Sequence, residues 1–401
     1  MGIINVLHIV NLKNNYGVER QLVNHLKFSL KNNDDIRHYV CSSTTKIHPC
    51  IKMELGQMGI PLISNRLIWP WDIFRFAKFV RKNSIDILHA HDKLSRPIKN
   101  RIVSKLAGIP YLIEHEHGLA WNVKSFFMIR MTNKFSDLHL ANSNAAKILL
   151  KETCDIDAKV IYNGVRPEST SSQEDKAVLR LDLGITQDDL VVGFVGRLNT
   201  SKGLPSFIKM AVLVKDWCPN VRFVVVGDGP EIVELKKHAA QLGLEKINFL
   251  GYRDDVREIM GLFNVMVLPA IHEAFGNVIV EAAYNRVPVV ASNVDGIAEI
   301  ILDGETGFLV DCTEPVSKSF SSKSNKLPRS VIDGRTKELR PPMFANAQQL
   351  ADRVIECLSN PEMSKAMGEK AYWRANEMFS LETYNNNLNN IYRSVINKLR
   401  K

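Results

Sequence analysis

The feature that most constrains this chain is a rhythm. Short, continuous apolar runs rich in β-branched residues alternate with helix-length segments through both halves of the sequence. In the first half the runs fall at 5–10, 37–42, 86–91, 111–115, 138–142 and 160–162. In the second they fall at 191–195, 221–226, 247–250, 265–268, 287–291 and 307–310. Continuous rather than alternating hydrophobicity is what strands buried on both faces require, and intervening helices imply parallel crossovers. Two sets of about six such strands predict an α/β chain of two tandem Rossmann-like, doubly wound domains. The length of 401 residues agrees, because one core rarely organises more than about 300. The polar stretch 167–175, after Asn163-Gly164, is the candidate linker. The expected domains are therefore 1–165 and 166–370, with a helical segment, 371–401, packing back on the first. Within the second, 313–342 is rich in Ser, Lys, Arg and Pro, lacks periodicity, and reads as a flexible surface insertion. From 379 to 399 the pattern is helical, with Leu381, Tyr384, Leu388, Ile391, Tyr392 and Val395 on one face.

Composition narrows the class. A hydrophobic content of 45% with 24% charged residues excludes wholesale disorder. No apolar run approaches the roughly eighteen residues of a membrane span. The opening Met1-Gly2-Ile3-Ile4-Asn5-Val6 has no basic region and leads straight into a strand, so a cytoplasmic protein without a secretory leader is expected. Six scattered cysteines form no Cys-x-x-Cys, which favours a reducing compartment and argues against a structural zinc site. The net charge of +9 is lopsided: residues 1–165 hold 23 Lys+Arg against 13 Asp+Glu, and the remainder nets −1. A basic first half points to an anionic partner: nucleic acid, a membrane surface or a phosphorylated acceptor. Nucleic acid fits poorly, since no binding motif is present.

Ligands of open α/β sheets bind beyond the carboxyl ends of the strands, so the residues after each run carry the function. After 191–195 come Gly196-Arg197-Leu198 and then Lys202-Gly203. An Arg fork, a mobile Lys charge and a helix amino terminus together suit a diphosphate. After 265–268 come Pro269 and then His272-Glu273-Ala274-Phe275-Gly276-Asn277-Val278-Ile279-Val280-Glu281. Gly276 would let backbone amides approach a phosphate, and carboxylates suit sugar hydroxyls.

These motifs stand in an ordered series with Gly227-Asp228-Gly229-Pro230, Phe249-Leu250-Gly251, Pro288-Val289-Val290-Ala291 and Asp303-Gly304-Glu305-Thr306-Gly307-Phe308. As such the chain resembles family 4 glycosyltransferases, retaining nucleotide-sugar enzymes of the two-Rossmann GT-B fold with the site in the cleft between the domains. The resemblance implies that Arg197 and Lys202 bind the donor diphosphate and stabilise the leaving group. It implies that Glu273 contacts the donor sugar, that Glu281 binds the ribose, and that amides around Gly276, Asn277 and Val278 meet the phosphates. Gly196 belongs to the same donor loop.

The first half matches more loosely. The family's Gly-Gly-x-Glu-Arg loop is here Tyr16-Gly17-Val18-Glu19-Arg20, keeping Gly17 as a donor-binding glycine but replacing the first glycine by Tyr16. His89-Ala90-His91 and Glu116-His117-Gly118 fit the family's two histidine segments, and the resemblance places His117 beside the donor sugar and acceptor as a catalytic histidine. The four histidines 89, 91, 115 and 117 also admit a metal reading. No carboxylate or cysteine sits at ligand spacing, however, and the family generally needs no metal, so none is expected. His89 and His115 read as strand-end residues bonding to backbone. Aromatics and basic residues in 66–82 and 126–135 suit an interfacial helix on anionic lipid, against the alternative of crossover helices packed under the sheet.

The expected function is therefore a retaining hexosyltransferase-type enzyme. It would move sugar from a nucleotide sugar, UDP favoured and GDP possible, to a saccharide or lipid-linked acceptor in lipopolysaccharide, capsule or exopolysaccharide synthesis. No further cofactor is expected. A sugar-nucleotide epimerase of the same fold and a non-catalytic sugar-nucleotide-binding protein are the alternatives.

Overall fold

Two parallel sheets organise the chain, one in each of two units. The computed structural model describes residues 2–15, 17–32, 35–64, 70–91, 97–119, 126–167, 172–316 and 327–399. Unit 1 comprises Met1–Arg166 and Phe379–Lys401, and unit 2 comprises Pro167–Met378.

Unit 1 runs β1 (Ile4–Val10), α1 (Gly17–Asn32), β2 (Ile36–Ser42), α2 (Pro49–Gln57), β3 (Leu62–Ser64), α3 (Pro70–Lys82), β4 (Ile87–Ala90), α4 (Pro97–Ala107), β5 (Tyr111–Glu116), α5 (Phe126–Thr132), β6 (Leu138–Ala141), α6 (Asn144–Cys154) and β7 (Lys159–Val160). The seven strands lie in the order 3-2-1-4-5-6-7, and every pairing is parallel. Parallel neighbours need long crossovers, which the helices supply. The order reverses between β1 and β4, and a doubly wound sheet opens its ligand crevice at such a reversal.

Unit 2 repeats the plan with α7 (Gln173–Asp182), β8 (Leu190–Val195), α8 (Leu204–Trp217), β9 (Val221–Val226), α9 (Ile232–Gln241), β10 (Ile247–Gly251), α10 (Val256–Met260), β11 (Val265–Leu268), α11 (Asn277–Tyr284), β12 (Val289–Ser292), α12 (Ile297–Ile300) and β13 (Phe308–Val310). Its order is 10-9-8-11-12-13, again all parallel, with the reversal between β8 and β11. The start of unit 2 is ordered by a capping box in which Ser172 and Asp175 satisfy each other's backbone N–H, so the second half of the expected linker is already the first turn of α7.

The segment 313–342 is more structured than its composition suggests. Of it, 317–326 lies outside the described residues. The rest and its borders form two small antiparallel pairs: β14 (Cys312–Pro315) with β17 (Met343–Ala345), and β15 (Val331–Ile332) with β16 (Leu339–Arg340). Strands of two residues carry no readable period, yet both residues of β15 are fully buried. Helices α13 (Ala347–Ser359) and α14 (Pro361–Met378) complete unit 2, so 371–378 belongs to it.

The chain re-enters unit 1 at Phe379. Val165 and Ser380 form a parallel bridge, and α15 (Leu381–Leu399) follows. Its Leu381, Tyr384, Leu388, Ile391, Tyr392 and Val395 are buried in one cluster with Val6, Ile36, Ile87 and Ile113 of the sheet. Each such side chain is worth roughly 1.5–3 kcal/mol relative to exposure. Arg393 adds a two-pronged pair to Asp35, at 2.8 and 2.9 Å.

Under the opposite face, Arg101 of α4 is fully buried. Its guanidinium donates to Glu114 of β5 at 2.7 Å and to Ile129 O and Thr132 Oγ1 of α5 at 2.9 and 2.8 Å. Burial raises the Glu114 carboxyl, and the Arg101 charge opposes it. This network pins α5 to the sheet.

Candidate functional sites in the two units

In unit 2 the residues after β8 and β11 meet at the sheet's reversal. Gly196 follows β8, and Arg197 comes next, exposed and with no side-chain hydrogen bond or ion pair among the described residues. A single 3-10 turn, Thr200–Lys202, then leads through Gly203 into α8. Gly203 has φ +69°, and a Cβ there would stand 1.7 Å from the Pro269 carbonyl oxygen. Only glycine allows this approach, which brings the turn against the end of β11. As a result the Lys202 ammonium reaches the Glu273 carboxylate in a partly buried ion pair.

Glu273 is fixed at its backbone. Its N–H donates to Asp295 Oδ2 at 3.1 Å, and its carbonyl accepts from Gly296 N at 3.1 Å. Asp295 is almost fully buried and has φ +46°, a left-handed conformation unusual for a residue with a side chain. Its other oxygen accepts from Ile332 N of β15 at 2.7 Å, which ties the hairpin of the 313–342 segment to the Glu273 loop. Burial pushes the Asp295 carboxyl up to about 7; the two backbone donors oppose this, the Glu273 charge adds to it, and Arg340 opposes it.

Gly276, at φ +106°, caps the start of α11 and accepts from Ile279 N at 2.9 Å. The first turn, Asn277 and Val278, thus faces the same end of the sheet, where a helix dipole favours an anion. One turn on, Glu281 lies 3.9 Å from the Arg257 guanidinium. Arg197, Lys202, Glu273, the α11 start and Glu281 therefore all occupy the carboxyl end of unit 2's sheet. The arrangement offers two cations and a helix amino terminus for an anion, and two carboxylates for hydroxyl groups. Asp295 and Arg257 were not singled out from sequence. Asp295-Gly296 is a turn signal, but its burial against Glu273 is a tertiary fact.

In unit 1, Gly17 is the first residue of α1, at the β1/β4 reversal. It is exposed, and a Cβ there would meet nothing within 4 Å. Nothing in the unit itself demands glycine at this position. Tyr16 lies outside the described residues.

His117 lies just past β5 and belongs to a larger array. His8, His25, His38, His89, His91 and His115 are buried on the same side of the sheet, and His117 is partly buried at its edge. His91 Nδ1 contacts His117 Nε2 at 2.9 Å, His91 Nε2 contacts His8 Nδ1 at 3.0 Å, and His8 Nε2 contacts His38 Nδ1 at 3.0 Å. Desolvation lowers every one of these imidazoles. His25 and His117 fall to about 4, partly offset by hydrogen bonds with Asn385 and Asn163, and the other five lie well below the ordinary value. The expectation that His89 and His115 bond to backbone is not met. His89 Nδ1 pairs with the Tyr392 hydroxyl at 2.6 Å, because α15 covers this face. Neither ring nitrogen of His115 has a hydrogen-bond partner among the described residues; the ring lies parallel to His89, centroids 5.4 Å apart.

Three groups, His8–His25–His38, His8–His89–His91 and His91–His115–His117, each bring ring nitrogens within 4.8 Å of one another and are the places where a metal could be held. No acidic residue contributes to any of these groups, so a dication there would lack compensating charge.

The outer surface of α3–α5 divides its aromatics. Phe76 is buried, whereas Trp71 and Phe74 are 79% and 66% exposed. Ile102 and Leu106 of α4 and Phe127 and Met131 of α5 are also exposed, beside Arg75, Lys78, Lys105 and Arg130. Trp69 lies outside the described residues. Among the described residues no helix is long and apolar enough to cross a membrane.

The chain is similar to known glycosyltransferases in sequence and in fold. Residues 17–169 match the Glycosyltransferase Family 4 model, and residues 175–327 match the model for glycosyl transferases group 1. An uncharacterized glycosyltransferase of Methanocaldococcus jannaschii is 33% identical over 280 residues, 64% of this chain and 71% of that one. The UDP-Gal:alpha-D-GlcNAc-diphosphoundecaprenol alpha-1,3-galactosyltransferase of Escherichia coli is 28% identical over 253 residues, 59% of this chain; the match spans 65% of that relative's length. Among solved structures, Anabaena Alr3699/HepE in complex with UDP and glucose superposes with a TM-score of 0.75 at 23% identity, over 98% of this chain and 100% of that one.

Proposed function

The chain belongs to glycosyltransferase family 4 and has the GT-B fold, and from that premise we propose that it is a retaining hexosyltransferase using a UDP-sugar. Unit 2 is the donor module and unit 1 the acceptor module. One observation carries the reading: Arg197, the Lys202–Glu273 pair and the start of α11 converge at the carboxyl end of unit 2's sheet, where the strand order reverses.

The bond that breaks joins the sugar's anomeric carbon to the diphosphate, whose oxygens take the electron pair. The bond that forms joins that carbon to the acceptor oxygen, and the hydroxyl proton leaves to a base or to the departing phosphate. Arg197 and Lys202 neutralise the charge that grows on the diphosphate, with the α11 amides and dipole assisting. Preorganised charge of this kind is usually the largest catalytic contribution. Lys202 carries three N–H donors, so it can keep Glu273 while meeting phosphate oxygens. Glu273 positions the donor sugar through its hydroxyls, Glu281 takes the ribose, and Gly17, Gly196, Asn277 and Val278 contribute backbone approach to the donor. His117, neutral at pH 7, meets the sugar and the acceptor hydroxyl.

The Escherichia coli relative's name supports a saccharide on a lipid diphosphate as acceptor, and on that acceptor we place the chain in surface-glycan synthesis; Alr3699/HepE, solved with UDP, supports the uridine base. The exposed apolar residues of α3–α5 among basic ones support docking on an anionic membrane surface. The test supplies UDP-galactose or UDP-glucose with an undecaprenyl-diphosphate-linked N-acetylglucosamine. UDP release that requires the acceptor, with an α-linked product by NMR coupling, is the expected result. An epimerised nucleotide sugar with no acceptor product, or a β-linkage, contradicts it.

A further inference from the structure

We propose that His38, His8, His91 and His117 form one proton-ordered chain, in which all four rings share one tautomer, so that the ring nitrogen of His117 that carries the proton is coupled to residues two and three links away. The consequence for transfer rests on the reading of His117 above; the ordering itself does not.

The geometry has a direction. On parallel strands, side chains two residues apart share a face. His38 of β2 stands opposite Val6 and His8 of β1 opposite His89, so these rings line one side of the sheet; His91 lies two residues beyond His89. Every contact along the chain joins an Nδ1 to an Nε2: His38 Nδ1 to His8 Nε2 at 3.0 Å, His8 Nδ1 to His91 Nε2 at 3.0 Å, and His91 Nδ1 to His117 Nε2 at 2.9 Å. At the far end, His38 Nε2 meets the Ser29 hydroxyl at 2.7 Å.

A neutral imidazole has one donor and one acceptor. With head-to-tail contacts, four neutral rings can satisfy all three links in only two ways: every ring carries its proton on Nδ1, or every ring carries it on Nε2. Any mixture leaves two N–H groups or two lone pairs facing each other at about 3 Å in a buried site, where an unmade hydrogen bond costs the full desolvation penalty. Ser29 closes the chain without choosing, since a hydroxyl can donate or accept. Because Ser29 is fully buried, the chain orders protons and does not deliver them to solvent.

For the reaction, the two orders differ at one atom. With every proton on Nε2, His117 gives its N–H to His91, and its Nδ1, the nitrogen left for Asn163 or a substrate hydroxyl, is an acceptor. With every proton on Nδ1, it presents a donor there instead. His8, His38 and His91 are thus positioning residues that act through His117.

The experiment is ring-nitrogen NMR of the full chain labelled with 15N-histidine at pH 7.5, assigned with single-histidine variants and repeated on His91→Gln, whose amide can meet His117 Nε2 as donor or acceptor and so breaks the head-to-tail order next to it. The expected wild-type result is four neutral rings of one tautomer. In His91→Gln the His117 resonances should shift as its tautomer is released. Mixed tautomers among the four wild-type rings overturn the proposal, and that spectrum decides the matter even if the variant does not fold. Unmoved His117 resonances in a folded variant also overturn it, as does zinc retained stoichiometrically after dialysis, which would make the array a metal site. Released His117 with unchanged transfer rate and pH profile leaves the chain standing and removes His117 from the reaction.

Discussion

Acidification from pH 7 to about pH 5 should unfold unit 1 cooperatively. Eight imidazoles there (His8, His25, His38, His89, His91, His115, His117 and His139) are held below their ordinary value by burial. In the unfolded chain each takes up a proton near pH 6.5. In the folded unit His25, His117 and His139 do so only near 4, and burial holds the other five well below the ordinary value. Between those limits the unfolded state binds more protons, so stability falls as pH falls and is fully present only above about 6.5. Each group protonated only in the unfolded chain contributes about 1.4 kcal/mol per pH unit, so several acting together consume a typical domain stability of about 5–15 kcal/mol within one or two units. Unit 2 holds only His238 and His272 and should respond weakly. Calorimetry at pH 7.5, 6.5 and 5.5 checks this. One transition should move steeply to lower temperature with uptake of several protons; a transition independent of pH would show that the imidazoles are not held neutral.

Lys202→Ala should lower kcat by about 10²–10³-fold, the usual loss when one preorganised charge is removed from a developing anion. The fold should persist, because Lys202 lies on a surface turn whose shape is set by Gly203 and not by the ammonium. Lys202→Arg should not restore activity: a planar fork cannot replace a compact charge where the turn lies this close to Pro269. The split between constants is informative. A fall in kcat and kcat/KM together marks an interaction made mainly in the transition state, whereas a rise in KM alone would assign Lys202 to ground-state binding. Turnover unchanged in Lys202→Ala would remove the leaving-group role.

The Lys202 prediction rests on motifs legible in the sequence, because Arg197, Lys202, Glu273 and Glu281 follow strands whose apolar runs are unmistakable. The doubly wound architecture was legible for the same reason: strands such as Val191–Val195 are continuous and buried on both faces. What was not legible depends on distance along the chain. β3 is a three-residue edge strand and carries too little pattern to read. The apolar face of α15 is plain in sequence, but what it covers is not. Through it Tyr392, some three hundred residues away, became the partner of His89. His8, His25 and His38 look like isolated residues until β1, β2 and α1 assemble, and only His89, His91, His115 and His117 were adjacent enough to read as a group. Asp295 is the same case in unit 2: a turn residue by sequence, and in the fold the link between the β15–β16 hairpin and Glu273.

The central claim is that unit 2 binds a uridine nucleotide sugar at the carboxyl end of its sheet. Thermal shift of the full chain against UDP, GDP, ADP and their sugars, without added metal, tests it most directly. A ligand that binds only the folded state stabilises it by about 2.7 kcal/mol at a hundred times its Kd. Selective stabilisation by UDP and a UDP-sugar, weakened in Lys202→Ala, is the expected result. No shift with any nucleotide, or a shift that appears only when zinc is added, would contradict it.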